Sequence, residues 1–261
     1  MHPGSPRSSS RTAVSGRTGA GSSGTGRSFQ ASHRVLTPEV RRLTLSPWHL
    51  LLPLLAFEGF LLAMHAFVHT APPPWDKLQI WFDLGAEGTV PAWFSSGQLL
   101  LVALALLAAA FRREILPSEM RLLLVAGLGF LFLSADEAAM IHERVTQYLR
   151  SYEALPRFAG NRGVWVFVYG AIGLALFVVF IRSIAAFIRR LPRQALLMAS
   201  GFATILLGAV GLEVLYFYDL WTGPTQTGAE ELLEMVGASL ILTGAVATVF
   251  DKATLVHWRE P

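Results

Sequence analysis

The sequence predicts an all-α polytopic membrane protein, a bundle of six transmembrane helices. Two observations carry that reading. Of 261 residues, 53% are hydrophobic and only 15% charged, and the apolar residues gather into six blocks of about the 20 residues that a helix needs to cross a bilayer core. A third agrees with them: Pro117, Pro156, Pro192 and Pro224 all fall between blocks, where proline removes no mid-helix hydrogen bond. The composition excludes a disordered or collagen-like chain. With no cysteine, disulfides, thiolate metal centres, iron–sulfur clusters and cysteine nucleophiles are excluded too, so any chemistry rests on carboxylate, imidazole, hydroxyl or amide groups.

Residues 1–46 are rich in Ser, Gly and Arg and hold almost no apolar run, which predicts a disordered basic tail. Arg41 and Arg42 have the look of a twin-arginine export signal, but Glu58, His65 and His69 interrupt what would be its apolar core. The first block is therefore read as a retained helix. The six blocks run over roughly 48–69, 92–111, 120–146, 164–188, 195–219 and 229–250 within a membrane domain at 47–255, and 256–261 form a short second tail. Asp136, Glu137, His142 and Glu143 occupy the last, polar turns of the third helix. Gly170 and Gly173 in the fourth, Gly201, Gly208 and Gly211 in the fifth, and Gly237 and Gly244 in the sixth are small enough for close helix packing.

Orientation follows from basic residues, which favour the cytoplasmic side. The tail, the 112–121 and 182–193 connections and the C-terminus together carry 16 Lys and Arg, the opposite connections 5. Both termini are thus expected in the cytoplasm, with the chain a multi-pass protein of the cell membrane. The net charge of +3 is accounted for by topology and anionic lipid, without a nucleic-acid partner.

With that orientation the ionisable groups fall on one side. Glu58, His65 and His69 run from mid-membrane to the outer end of helix 1. Asp136, Glu137, His142 and Glu143 close helix 3, Glu213 and Asp219 lie late in helix 5, and Glu230, Glu231 and Glu234 open helix 6. The inner half reads as nearly pure hydrocarbon. At about 100° per residue, Glu58, His65 and His69 share one stripe and Asp136 and Glu143 share a face. Glu137 and His142 then point to either side of that face, so a continuous helix cannot bring all four to one centre. Ionised carboxylates are costly in a bilayer, and no Lys or Arg lies in the spans at this depth. Metal ions or protons are the remaining source of positive charge. Carboxylate and imidazole without thiolate suit Zn, Mn or non-haem Fe, with one or two ions.

Each group also has a plainer reading. Glu230 sits three residues after Thr227, the spacing of a capping box, and acids in a first turn suit the helix dipole. His142 and Glu143 beside Arg144 fit a solvated helix end, His69 an interfacial residue, and Asp219 an exposed one. Trp48, Trp75, Trp81, Trp93, Trp221, Tyr216 and Tyr218 fit an interfacial aromatic belt.

The string Ser134-Ala135-Asp136-Glu137 with His142 and Glu143, the stretch Gly208 to Glu213, and the run Glu230-Glu231-Leu232-Leu233-Glu234-Met235-Val236-Gly237 resemble a widespread group of uncharacterised bacterial six-helix membrane proteins. That group carries a D-E-x-x-x-x-H-E element in helix 3 and an E-E-x-x-E-M-x-G element opening helix 6. The resemblance covers roughly residues 47–255 and implies the fold, a bacterial inner-membrane setting and the importance of the acids, without naming a reaction. Membrane desaturases need paired-histidine boxes and ceramidase-like hydrolases more histidines than this chain holds. H-E-x-x-H, G-x-S-x-G and an intramembrane retinal lysine are absent.

The sequence thus points to a metal-dependent membrane enzyme, hydrolase or oxidoreductase. Asp136, Glu143, Glu234, His142, His65, Glu58 and Glu213 are the expected metal ligands or their neighbours, and Glu137 or Glu231 the expected base. Its substrate would be a lipid or other amphiphile arriving laterally. A cation- or proton-coupled transporter and a subunit holding a structural metal are the alternatives.

Overall fold

The computed structural model describes residues 46–152, 155–158 and 162–250. The basic tail with Arg41 and Arg42, and the C-terminal residues from 251 onward, lie outside the described residues. Six helical spans long and apolar enough to cross a membrane are present: 48–70, 90–110, 117–139, 164–190, 192–217 and 224–249. In chain order they comprise α1 (Trp48–Thr70), then a 3-10 turn (Trp75–Leu78) and the one-turn α2 (Gln79–Phe82), α3 (Val90–Ala110), α4 (Pro117–Ala139), α5 (Ile141–Leu149), α6 (Val164–Arg190), α7 (Pro192–Leu206), a π-helical turn (Leu207–Leu212), α8 (Glu213–Phe217) and α9 (Pro224–Val249). No strand occurs among the described residues. The chain is a multi-pass α-helical membrane protein.

Proline sits in the first turn of α3, α4, α7 and α9, where its fixed φ favours the helix and its missing N–H is not needed. α9 is the centre of the bundle and packs against α1, α3 and α7. Its Ala238, Ile241, Leu242 and Ala245 meet Val102, Ala103 and Leu106 of α3, with Leu123 and Phe130 of α4 in the same buried cluster. α6 lies at the periphery, and residues 170–179 are exposed on all its faces.

α7 and α9 approach at two glycines. A Cβ on Gly201 would lie 2.5 Å from the Gly237 carbonyl, and one on Gly237 would lie 2.5 Å from the Gly201 carbonyl. Gly208 and Gly244 are similarly closed in, whereas Gly170 and Gly173 face open space and Gly211 meets only its own helix. The expectation of glycine-mediated packing therefore holds at the α7–α9 seam and not on α6. Gly237→Ala should destabilise the protein by about 1–3 kcal/mol, the usual cost of overpacking, while Gly170→Ala, in open space within a helix, should leave it as stable or stabilise it by up to about 1 kcal/mol. Denaturant unfolding of the two variants in detergent micelles measures the difference.

Three helices depart from their sequence reading. The third span does not continue to 146: it stops at Met140, which adopts a left-handed conformation (φ 52°), and the chain restarts as α5. The fifth carries the π turn at Leu207–Leu212, an extra residue per turn that rotates Glu213 relative to a regular helix. The sixth begins at Pro224 rather than 229, capped by Gly223 at φ 91°. Glu230 is therefore not a first-turn capping acid, and its carboxylate instead accepts from Gln226 Nε2 at 2.6 Å.

The helix start at Pro117 takes in part of the segment read as the 112–121 connection, and with it a buried acid. Glu119, in the first turn of α4, is fully buried. It accepts from its own helix start at Leu116 N (3.1 Å) and from the Arg190 guanidinium at the end of α6. Arg190 also donates to the Glu114 carbonyl at 2.7 Å, so one ion pair ties α6 to the α3–α4 turn.

Candidate functional site

The connections 71–89, 140–163 and 218–223 all leave the same end of the bundle, and the polar groups converge there. The first group is built on α1. His65 and His69 are one turn apart, with ring centroids 4.5 Å from each other. The 71–89 connection folds back over them and brings Asp83, whose Oδ1 lies 3.3 Å from His65 Nδ1 and 3.3 Å from His69 Nε2. The ligand atoms of these three residues all fall within 4.8 Å of one another, so the group can hold a metal ion. Four ligands set tetrahedrally at zinc's usual distance of about 2.0–2.1 Å would be separated by about 3.3–3.4 Å. The two histidine–carboxylate separations match that edge.

The surroundings fix these side chains. The Leu84 amide donates to His65 Nδ1 at 3.0 Å, which leaves Nε2–H to donate to the Pro224 carbonyl at 2.9 Å. A second ring contact comes from α9, where a Cβ on Gly228 would lie 3.1 Å from His65 Cδ2. Gln79 of α2 lies 3.4 Å from His69 Nδ1 and donates to Asp83 Oδ2 at 3.2 Å, while the Gly85 amide donates to Asp83 Oδ1 at 3.2 Å. Partial burial opposes ionisation of Asp83, but hydrogen bonds from His69, Gln79 and Gly85 outweigh it and hold the carboxyl below its ordinary range. An ionised Asp83 is in the state that metal ligation needs, and His65 would present its Nδ1 lone pair to an ion by releasing the Leu84 amide.

The second group adjoins the first and is acidic. Glu87, four residues after Asp83, interacts electrostatically with Glu137 of α4 and Glu231 of α9. Glu234 feels Glu137, Glu230, Glu213 and Asp136, and Glu213 and Glu230 are within hydrogen-bonding reach of each other. Glu137 is within reach of Ser95 on α3. Most of these carboxylates are half-buried, and Glu87 and Glu143 are exposed, so the group forms a partly solvated acidic mouth at this end of the bundle. Burial and the charge of Glu143 push the Glu87 carboxyl up, with His142 opposing. Arg162, from the 155–163 connection, lies over Tyr216 at 5.3 Å and donates to the Phe217 carbonyl at 2.8 Å. It also pairs with exposed Asp219.

The break at Met140 changes the geometry of the D-E-x-x-x-x-H-E element. The chain doubles back so that the His142 amide donates to Asp136 Oδ1 at 2.6 Å and the ring Nδ1 lies 3.3 Å from the same oxygen. The Asp136 side chain therefore caps a first-turn amide of α5, whose N-cap position is Met140, and the phase relation that a continuous helix would impose on Asp136, Glu137, His142 and Glu143 does not hold. Burial disfavours the His142 imidazolium, but Asp136, Glu143 and Glu137 outweigh it and raise the ring above its ordinary value. The imidazolium–Asp136 contact accordingly steadies α5 fully below about pH 6.5, and fades as pH climbs through the raised value. Because the His142 and Trp165 rings are 5.4 Å apart, indole emission should brighten as the quenching imidazolium loses its proton, with a midpoint above 6.5. A fluorescence titration of wild type against His142→Gln checks this, and only the wild type should show the step.

Of the residues singled out from sequence, the structure gathers Asp136, Glu137, His142, Glu143, Glu213, Glu230, Glu231 and Glu234 at the mouth, and His65 beside it. Glu58 stands apart, two helical turns deeper, with Gln98 and Ser239 as its partners. A family model for a domain of unknown function, DUF8692, matches residues 54–248. The chain belongs to that family. No curated protein and no solved structure matches it. The DUF8692 region includes His65, His69, Asp83 and every acid of the mouth, so the whole site lies within the family's own domain.

Sequence reasoning passed over Asp83, Glu87 and Gln79 and read His69 as interfacial. Only groups along the spans were given a depth, His69 among them, and a connection that folds back onto the bundle has no such position. The signal that points to them is His65-x-x-x-His69 on one helical face, followed within twenty residues by an acid in a connection rich in Trp, Ile, Phe and Leu.

Proposed function

We propose that this DUF8692 protein is a metal-dependent enzyme of the cell membrane that acts on a lipid or other amphiphile, with His65, His69 and Asp83 as its metal ligands. The observation that carries the reading is the pair of 3.3 Å separations from Asp83 Oδ1 to the two histidine nitrogens, the edge of a tetrahedral zinc site. Three protein ligands leave a fourth position, where a bound divalent ion would lower the pKa of its water toward about 7. Glu87, Glu137 and Glu231, carboxylates reachable from the mouth, are the candidate proton acceptors. Glu213, Glu230 and Glu234 crowd their carboxyls at the same place, a grouping that a cationic headgroup or a second ion would relieve. The basic-residue count favours cytoplasmic termini, which places the mouth at the outer leaflet, where exposed Trp75, Trp81 and Trp93 suit the headgroup layer.

Elemental mass spectrometry of the full chain, purified in detergent without chelator, tests this. One zinc, manganese or iron ion per chain is expected, together with turnover of an ester, amide or phosphodiester amphiphile that stops on chelation. A folded protein that stays empty after incubation with each metal would sink the metalloenzyme reading. Cation or proton transport is the second reading, favoured by the buried Glu58 midway along α1. Ion flux in proteoliposomes without turnover of any amphiphile would select it.

A further inference from the structure

Glu58 lies midway along α1 with no exposed surface. Two side chains from other helices close on one of its oxygens: Gln98 Nε2 of α3 donates to Glu58 Oε1 at 2.8 Å and Ser239 Oγ of α9 donates to it at 2.6 Å. The second amide hydrogen of Gln98 goes to Ser239 Oγ at 2.9 Å. Every donor in this knot is thereby used. Two buried atoms are left without a hydrogen-bond partner, Glu58 Oε2 and Gln98 Oε1, and both are acceptors. No charged side chain from α1, α3 or α9 acts on Glu58 among the described residues, only Ser239 and Gln98.

A buried carboxylate with no cation beside it is expensive in a membrane interior. Two leftover acceptors on facing groups add to that cost, because each forfeits a hydrogen bond that water would have given. One proton answers both. A carboxylic acid and a primary amide form a cyclic pair in which the amide N–H donates to the acid carbonyl and the acid O–H donates to the amide carbonyl. The first of those bonds is the 2.8 Å contact from Gln98 Nε2 to Glu58 Oε1. The second would join the two leftover atoms.

We propose that Glu58 is a proton-binding site, separate from the metal-type centre, in which the neutral acid pairs with the Gln98 amide and Ser239 donates to the acid carbonyl. The bound proton clasps α1 to α3 and α9. Since α1 also carries His65 and His69, and α9 also carries Glu230, Glu231 and Glu234, the clasp sets the spacing between the two halves of the mouth. Losing the proton would place a charge and two facing acceptors at the centre of the bundle. The inference stands whether or not His65, His69 and Asp83 bind a metal.

Infrared difference spectroscopy of the full chain in lipid nanodiscs tests it. Subtracting Glu58→Gln from wild type at neutral pH should leave a protonated-carboxyl C=O band that moves to lower frequency in D2O. Glu58→Gln should melt within a few degrees of wild type, because its amide supplies an N–H where the acid proton sits. Gln98→Leu, which removes the acceptor, should shift the band upward, and so should Ser239→Ala. Those two variants keep the test decisive if Glu58→Gln does not fold. A difference spectrum holding only carboxylate stretches, or a band that neither Gln98→Leu nor Ser239→Ala moves, would overturn the proposal. So would a rise in wild-type melting temperature with Na+ or K+ that Glu58→Gln abolishes, since the ligand would then be a metal cation.

Discussion

Asp83→Asn should strip the ion of the proposed metal centre from the purified protein while leaving it folded. The asparagine keeps an oxygen for the Gly85 amide (3.2 Å to Oδ1 in the wild type), so the connection holds its shape. What it removes is the negative charge between His65 and His69. Deleting a hydrogen bond to a metal-bound histidine lowers affinity by roughly 10–100-fold, and losing a ligand itself should exceed that. His69→Ala should behave alike. Asp136→Asn is the informative control: with Asp136 capping α5, that variant should retain its full metal content. Glu137→Gln and Glu231→Gln should also keep the ion, and whichever carries the base should lose turnover. Isothermal titration with zinc, alongside elemental analysis, reads all five variants. An ion that survives Asp83→Asn and disappears with Asp136→Asn would move the centre into the acidic mouth.

Arg190→Ala should destabilise the protein by roughly 3 kcal/mol, the low end of what breaking a buried ion pair costs, because the Arg190 side chain remains 37% exposed. The loss comes mostly from the partner left behind. Glu119 is fully buried, and its Oε1 already lacks a hydrogen-bond partner, so without the guanidinium an ionised carboxylate is stranded inside the bundle. Glu119→Gln removes that charge and keeps an oxygen for the Leu116 amide. The double variant should therefore be more stable than Arg190→Ala alone. Reversible unfolding in detergent gives the cycle, and a double variant no better than the single would show that Arg190 acts through the Glu114 carbonyl instead.

Several features of this molecule were legible because they depend on composition and local order alone. Six apolar blocks must become six helices, since a helix satisfies its own backbone groups in lipid. The alternation of spans then fixes which connections share an end, and hence that Glu137, Glu213, Glu230, Glu231 and Glu234 meet there. The shared stripe of Glu58, His65 and His69 was likewise readable: the first bonds to α9 through Ser239 and the second through the Pro224 carbonyl. Glycine packing was readable at Gly201 and Gly237 but not assignable, because Gly170 and Gly173 look the same in sequence and face outward.

What the sequence determined by itself is the class of protein, the number of spans and the end of the bundle at which most of its acids gather, because hydrophobic periodicity and charge act over a single turn or a single span. Only the tertiary structure decided which groups touch. One left-handed residue, Met140, turned Asp136 into a helix cap. One folded-back connection brought Asp83 between two histidines, and one buried knot set Glu58 apart from the other acids. Each of these depends on where a chain goes after it leaves a helix, and contacts between residues 14–18 or 181 positions apart are set by packing of the whole bundle rather than by any local pattern.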